Sequence, residues 1–444
     1  MISHIVNGSN AICCDDDKNL DGFVLHGDIC YSETPDALRS IEDGYLVCEN
    51  GVSRGAYSAL PECFKNLPLL DRADKLILPG LVDLHMHAPQ FAFRGIGMDL
   101  ELLDWLKSYT FPEESKYRNL GYARNAYTAM VRDLAAGPNT RACIFATVHL
   151  PATRLLMDLL EGSGLVCMVG KVNMDRNCPA YLREDDAARS ASDTRLWLTA
   201  SEGRYKNVAP ILTPRFIPVC SDELMWELAA IQKEFGLPVQ SHLSESLAEI
   251  EWVRELCPKS KSYSDAYDSF GLFGGDAPTL MAHCVWPGDD ELELIKRRNV
   301  FIAHCPQSNI NLASGIAPAR RFLNMGIPVG LGSDVAGGCH TSIFRAMSDA
   351  IGASKLRYRL VEHGEPPLTL SEAFYMGTAG GGSFFGKVGS FDAGYELDAL
   401  VVDDSKLAAP FPLTVEERLA RVVYFSDDRH IAEKYVRGKA VKGN

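Results

Sequence analysis

The sequence predicts an α/β fold, a (β/α)8 barrel of the TIM type joined by a small β-sandwich made from both chain ends, on three observations. Between residues 79 and 386, eight short apolar or β-branched runs alternate with helical patterns, the signature of βα units around a parallel sheet. Several of these runs end in His or Asp, at the rim where such a barrel collects its chemistry. The flanking segments, 1–78 and 387–444, hold strand-like pieces separated by Gly, Asp and Pro, and neither is large enough to fold alone.

The eight runs are, in order, LVDLHMH, RACIFATVH, GLVCMVGKV, VAPILTPRF, LPVQSHLSE, TLMAHCV, VFIAHCP and PVGLGSDV. The first ends in His85-Met86-His87 and is broken by Ala88-Pro89-Gln90, so both histidines lie at its C-terminal end. Side chains two apart on a strand face the same way, about 6.6 Å apart along the backbone, and can close on a single metal. Among the intervening helices, SDELMWELAAIQKEFG takes Ser221 or Asp222 as N-cap and Gly236 as its stop. DDELELIKRRN is acidic at its start and basic at its end, as the helix dipole favours. Eight strands with eight crossovers make a closed barrel. In the flanks, GFVLHGDIC and DGYLVCENG at one end and YELDALVVDD and KYVRGKAVK at the other share one style. They are expected to pair into one sandwich clamped to the barrel.

Of the 444 residues, 46% are hydrophobic and 23% charged, the balance of an ordinary globular protein with a substantial core. A net charge of −14 argues against nucleic acid or an anionic membrane as partner, since both require clustered Lys and Arg. The N-terminal MISHIVNGSNAICCDDD lacks a basic stretch followed by an apolar core, and no later run approaches a membrane span, so a cytoplasmic location is expected. The thirteen cysteines form no CxxC pair and read as small buried hydrophobes in a reducing compartment. Cys284 and Cys305 each follow a histidine and are expected to point the opposite way, against the helices.

Further metal-compatible side chains end other runs: His242 after LPVQS, His283 after TLMA and Asp334 after PVGLGS. Any one of them alone reads as a hydrogen-bonded structural His or a capping Asp. His85, His87, His242 and Asp334 converging at one barrel rim read instead as a site for zinc, with iron as a possible substitute and an open position for water. His149 and His304 also end runs, and spacing alone does not exclude them as ligands. Lys171 could be imagined as a carbamylated bridge between two metals, but packing or hydrogen bonding behind the ligands is the safer assignment for all three. Glu245, just past His242, is placed to carry a proton from a metal-activated water to a leaving group. It also fits as the N-terminal acid of a helix over LAEIEWVRELC.

PGLVDLHMHAPQ, TPRF at 213–216, QSHLSE at 240–245, MAHC, AHCPQSN and GLGSDVAGG together carry a family resemblance. The chain resembles the amidohydrolase superfamily over nearly its whole length, and HAPQ with TPRF and SDVAGG points to its guanine-acting branch. The resemblance implies zinc-dependent hydrolytic deamination of guanine to xanthine and ammonia, a metal-bound hydroxide attacking C2. It makes His85, His87, His242 and Asp334 the ligands of one zinc per chain. Glu245, Asp334 and His283 become the catalytic groups, Glu245 and Asp334 as proton shuttles. Gln90, Arg215 and Phe216 are set against the purine, Arg215 toward O6, and His87, His242, Glu245, His283 and Asp334 complete the substrate contacts. Run four ends in Thr-Pro-Arg-Phe where binuclear members carry a carbamylated lysine, which supports a single metal. A homodimer with guanine and water as small-molecule partners is implied as well. The rivals are a deaminase of a related heterocycle such as 8-oxoguanine or a pterin, a two-metal phosphoesterase or lactonase, and a non-catalytic purine-binding protein.

Overall fold

The computed structural model describes residues 21–441, so the reading of the N-terminal segment, with Cys13 and Cys14, lies outside the described residues. Four strands come first: β1 (Gly22–Thr34), β2 (Ala37–Glu49), β3 (Val52–Tyr57) and β4 (Leu69–Pro79). Next come β5 (Leu81–His87), β6 (Asn139–Phe145), β7 (Val166–Gly170), β8 (Val172–Asn173) and β9 (Val208–Pro210). They are followed by β10 (Thr213–Pro214), β11 (Val239–Leu243), β12 (Thr279–His283), β13 (Phe301–His304) and β14 (Val329–Leu331). The last three are β15 (Ala399–Val402), β16 (Ile431–Val436) and β17 (Lys439–Val441).

The ladders among β5 to β14 are all parallel. They make a sheet of order β5-β6-β7-β9, a second of order β11-β12-β13-β14, and the pair β10-β8. A parallel bridge from Leu212 to Val239 joins the end of the first sheet to the start of the second. Past the end of β14, Asp334 N donates to His85 O (2.8 Å) and His87 N donates to Val335 O (2.9 Å), so the last strand's loop returns to the first strand. Apolar residues from both sheets, among them Val82, Leu84, Cys143, Ile211, Leu280, Ala282 and Ala303, meet in one buried cluster.

Helices stand where the sequence calls for crossovers. The Asp222–Phe235 helix is capped by the Ser221 hydroxyl on Leu224 N and stopped by Gly236 in the left-handed conformation. The Asp289–Arg298 helix ends on Asn299, also left-handed.

Two strand expectations change. Runs three and four are each split, as β7 with β8 and β9 with β10, at the point where Gly170 and Thr213 pack closely together. Gly170 is needed at the first break, since a Cβ there would stand 1.7 Å from Thr213 Oγ1. β6 stops at Phe145, four residues short of His149, which instead precedes the Leu150–Ser163 helix with its early proline.

Cys284 packs in the main core as expected, but Cys305 belongs to the inner cluster shared by the two sheets. The two-residue period of β13 runs Phe301, Ala303, Cys305 inward, which turns His304 to the other face.

The chain ends form one seven-stranded sheet, β17-β16-β15-β4-β1-β2-β3, not the expected pair of packed sheets. β4 is the reason: it lies parallel to β1 on one side and antiparallel to β15 on the other, stitching the two ends into one ladder. Phe23, Leu25, Leu46, Ile77, Val401 and Tyr435 form this sheet's own core. The fully buried Arg141 of β6 fastens it to the rest, donating to Asp398 at 2.7 and 3.2 Å and to Glu396 at 2.7 Å. Lys434 of β16 adds bonds to the carbonyls of Leu134 (2.8 Å) and Asn139 (2.9 Å). No helix of the described residues is long and apolar enough to cross a membrane.

Candidate active site

Strand ends converge here because the backbone departs from regular alternation at several points. In β5 the pairing with β6 slips between Asp83 and Met86, so that Leu84 and His85 together oppose the single residue Cys143. This bulge lets Leu84 stay in the inner apolar cluster while His85 and His87 both enter the site above it. Ser244, His283 and Asp334 have φ of +46°, +74° and +44°, a left-handed region that non-glycine residues adopt at a cost of about 1–3 kcal/mol each. At β12 the consequence is direct: Ala282 faces the inner cluster, and the turn at His283 brings the next side chain into the site as well. Backbone bonds hold these turns, Val285 N donating to Ser244 O (3.0 Å) and Gly338 N to Asp334 O (2.7 Å).

His85, His87 and His242 bring their ring nitrogens together, and His85, His283 and Asp334 do the same, all of them buried. His87 Nε2 lies 3.1 Å from His242 Nε2. Asp334 Oδ1 is 3.1 Å from His85 Nε2 and 3.5 Å from His87 Nε2. Ligands of a four-coordinate ion with bonds of 2.0–2.1 Å stand about 3.3 Å apart, so these separations suit a single centre. The protonation states agree. Burial, reinforced by His85, drives the pKa of His87 and His242 well below the usual imidazole value. Burial opposes ionisation of Asp334, yet His85, His283 and His87 outweigh it and hold the carboxyl below its ordinary range.

His242 Nδ1 donates to Arg215 O at 2.6 Å, which leaves its Nε2 lone pair facing His87. Two neutral imidazole nitrogens this close, with the neighbouring His85 Nε2 buried without a hydrogen-bond partner, form an arrangement that a shared cation relieves. The cluster therefore fits a divalent metal held by nitrogen and carboxylate donors.

Beside it, Glu245 is buried, accepting from the Ser314 hydroxyl (3.2 Å) with its other oxygen 3.4 Å from His283 Nε2. Burial and the neighbouring Asp334 raise its pKa well above the carboxylate range, so it holds a proton readily. His283 Nδ1 pairs with Asn309 Oδ1 at 2.9 Å, aiming Nε2 toward Glu245 and, at 3.7 Å, Asp334.

A pocket opens onto these groups, with His87, Gln90, Arg215, Phe216, His242, Glu245, His283 and Asp334 all in its wall. Leu102, Trp105, Leu106 and Leu312 give it apolar surface, and Glu249 adds a further carboxyl. Sequence reasoning missed Glu114, which organises the polar side. Its carboxylate accepts from Arg215 Nη1 (2.5 Å) and Nη2 (3.0 Å) and from Gln90 Nε2 (2.9 Å). Gln90 Oε1 in turn accepts from Ala336 N at 3.2 Å. FPEES offers no motif that could have identified Glu114; only the fold brings it to residues 24 and 101 positions away.

The three residues with open readings fall outside the cluster. Lys171 is buried in an ion pair with Glu184. His149 is half-buried at its helix start. His304 is fully buried and pushed down to about 4, by burial and then by His283, without joining the ligand group.

Comparison with known proteins agrees with this geometry. The model of the amidohydrolase family matches residues 76–441. A guanine deaminase of Dictyostelium discoideum is 36% identical, the match covering 95% of this chain and 92% of the relative. The human guanine deaminase is also 36% identical, over 91% of this chain and 92% of its own length. A crystal structure of guanine deaminase from C. acetobutylicum, with guanine bound in its active site, superposes with a TM-score of 0.92 at 46% identity, covering 95% of this chain and all of the other. The chain belongs to the amidohydrolase family, within its guanine deaminase branch.

Proposed function

We propose that this protein hydrolyses guanine to xanthine and ammonia, on a single zinc held by His85, His87, His242 and Asp334, with iron as the alternative metal. One observation carries the reading: a buried pocket holds a nitrogen-and-carboxylate cluster beside a proton-carrying carboxyl and an Arg215–Glu114–Gln90 array with donors to spare. The likeness to a structure with guanine in its active site supports it.

When bound, such a metal lowers the pKa of a water to about 7. The chain's own groups do the rest. Glu245, starting as the carboxylate, takes the proton that the attacking water gives up, an uptake its raised proton affinity favours, and passes it to ring nitrogen N3 beside C2. Asp334, with Oδ2 near His283 Nε2, takes the second proton of the added water, from the hydroxyl now on C2, and passes it to the amine, which leaves C2 as ammonia. His283, fixed by Asn309, orients the reacting groups. Arg215 donates to O6 through the guanidinium hydrogens that Glu114 does not occupy, and Gln90 meets the neighbouring ring edge. Phe216 covers a ring face.

We read the two parallel sheets, bridged at Leu212–Val239 and at His85–Asp334, as a closed eight-stranded barrel. We also infer a cytoplasmic homodimer. The unpaired state of the described cysteines supports a reducing compartment, and the exposed Leu356, Leu360 and Val361 offer an apolar stripe for a second copy. Ammonia release from guanine, adenine, cytosine, 8-oxoguanine and pterins tests the function. Guanine should lead by orders of magnitude, and a better turnover of any other compound would replace it as substrate.

A further inference from the structure

Glu249 has no part in the mechanism above, yet it lines the same pocket. It sits in the first turn of the Leu247–Leu256 helix, four residues beyond Glu245, and is 1% exposed. The Tyr263 hydroxyl donates to Oε1 at 2.7 Å. Oε2 is buried and makes no hydrogen bond among the described residues, although the backbone N–H of the N-cap Ser246 lies near enough to favour the carboxylate. A buried carboxyl oxygen without a donor is costly, so such an atom in a pocket wall marks the place where a bound molecule supplies one.

The chemistry of guanine says which donor that is. If Arg215 serves O6 and Glu245 serves N3, the edge facing Glu245 continues from N3 to N9, which carries a hydrogen in the free base. Glu249 stands close enough to Glu245 for the two carboxyls to oppose each other's charge. We infer that Glu249 is a specificity-determining residue, its Oε2 accepting a hydrogen bond from purine N9–H. This rests on the guanine reading of the site. Its consequence is selection of the free base: a sugar or alkyl group on N9 would put carbon where the carboxyl requires a donor, and leave that oxygen unpaired.

The test compares kcat/KM for guanine and 9-deazaguanine, which exchanges N9–H for C–H without added bulk and carries its ring N–H at N7, on three proteins. They are the wild type, Glu249→Gln, and a Glu249→Leu/Tyr263→Phe double variant that removes the acceptor without orphaning the Tyr263 hydroxyl. Comparing the ratio of the two substrates between proteins cancels their intrinsic reactivity. The guanine preference should fall about ten- to hundredfold in the double variant and stay near wild type in Glu249→Gln, which keeps an acceptor oxygen. Equal losses on both substrates would overturn the inference, whereas a wild type inactive on guanine would strike the function itself. A second measurement needs no variant: 9-methylguanine should inhibit the wild type only at concentrations about a hundredfold or more above the KM for guanine. Inhibition near that KM would also overturn the inference.

Discussion

Single residues divide the site into groups with separable effects. His242→Ala or Asp334→Ala should lower both bound metal and activity, because each removes one of the four proposed donors. His304→Ala, one residue off the inward row of β13, should keep its metal; elemental analysis of the purified variants checks all three. Glu245→Gln should retain metal and fold but lose at least about 10²-fold in kcat, since an amide cannot cycle a proton. An unchanged rate would move the proton carrier elsewhere. Arg215→Met is less simple than the sequence suggests, because it strands the buried Glu114 carboxylate as well as removing the O6 donor. Breaking such a pair costs about 3–5 kcal/mol, so the melting temperature should drop. Arg215→Met with Glu114→Gln should regain much of that stability without regaining guanine activity. Recovery of both would reduce Arg215 to a structural role. The residues of the candidate metal cluster were legible because His and Asp at strand ends have little other reason to recur. Glu114 and Glu249 were not, since one acid on a helix looks like any other until the fold turns it inward.

At the scale of elements, the terminal sheet is docked by buried polar bonds rather than by shape alone. Lys434, buried at that junction, is pushed down to about 7 by burial, from an ordinary value of 10.5. Between those values the unfolded chain binds a proton at Lys434 that the folded one does not, so this group's contribution to stability rises with pH. Urea unfolding at pH 7 and pH 9 should show the wild type gaining stability relative to Lys434→Met as pH rises. A difference independent of pH would mean that the amine stays charged in the fold. Strands and helices with strong local signals, such as the helix from Ser221 to Gly236, were legible to the residue. The bulge in β5 and the left-handed turns at Ser244, His283 and Asp334 were not, because no residue type there announces a positive φ. These departures aim the candidate ligands; Cys305 was misassigned for another reason, since β13 keeps its alternation and it is His304 that faces away from the inner cluster.

For the whole molecule, the α/β alternation and the pairing of the chain ends were readable from pattern. The merging of those ends into one sheet was not, because it depends on β4 accepting a partner on each edge. On the proposed reading, one metal-binding centre per chain serves one chemical task, with the remaining residues positioning guanine and moving protons. Titrating metal-free protein with zinc while following xanthine formation from guanine tests this most directly. Activity should rise in proportion to added zinc and level off at about one equivalent per chain, as a single four-coordinate site requires. A break at two equivalents, or equal guanine turnover by the metal-free protein, would contradict the account.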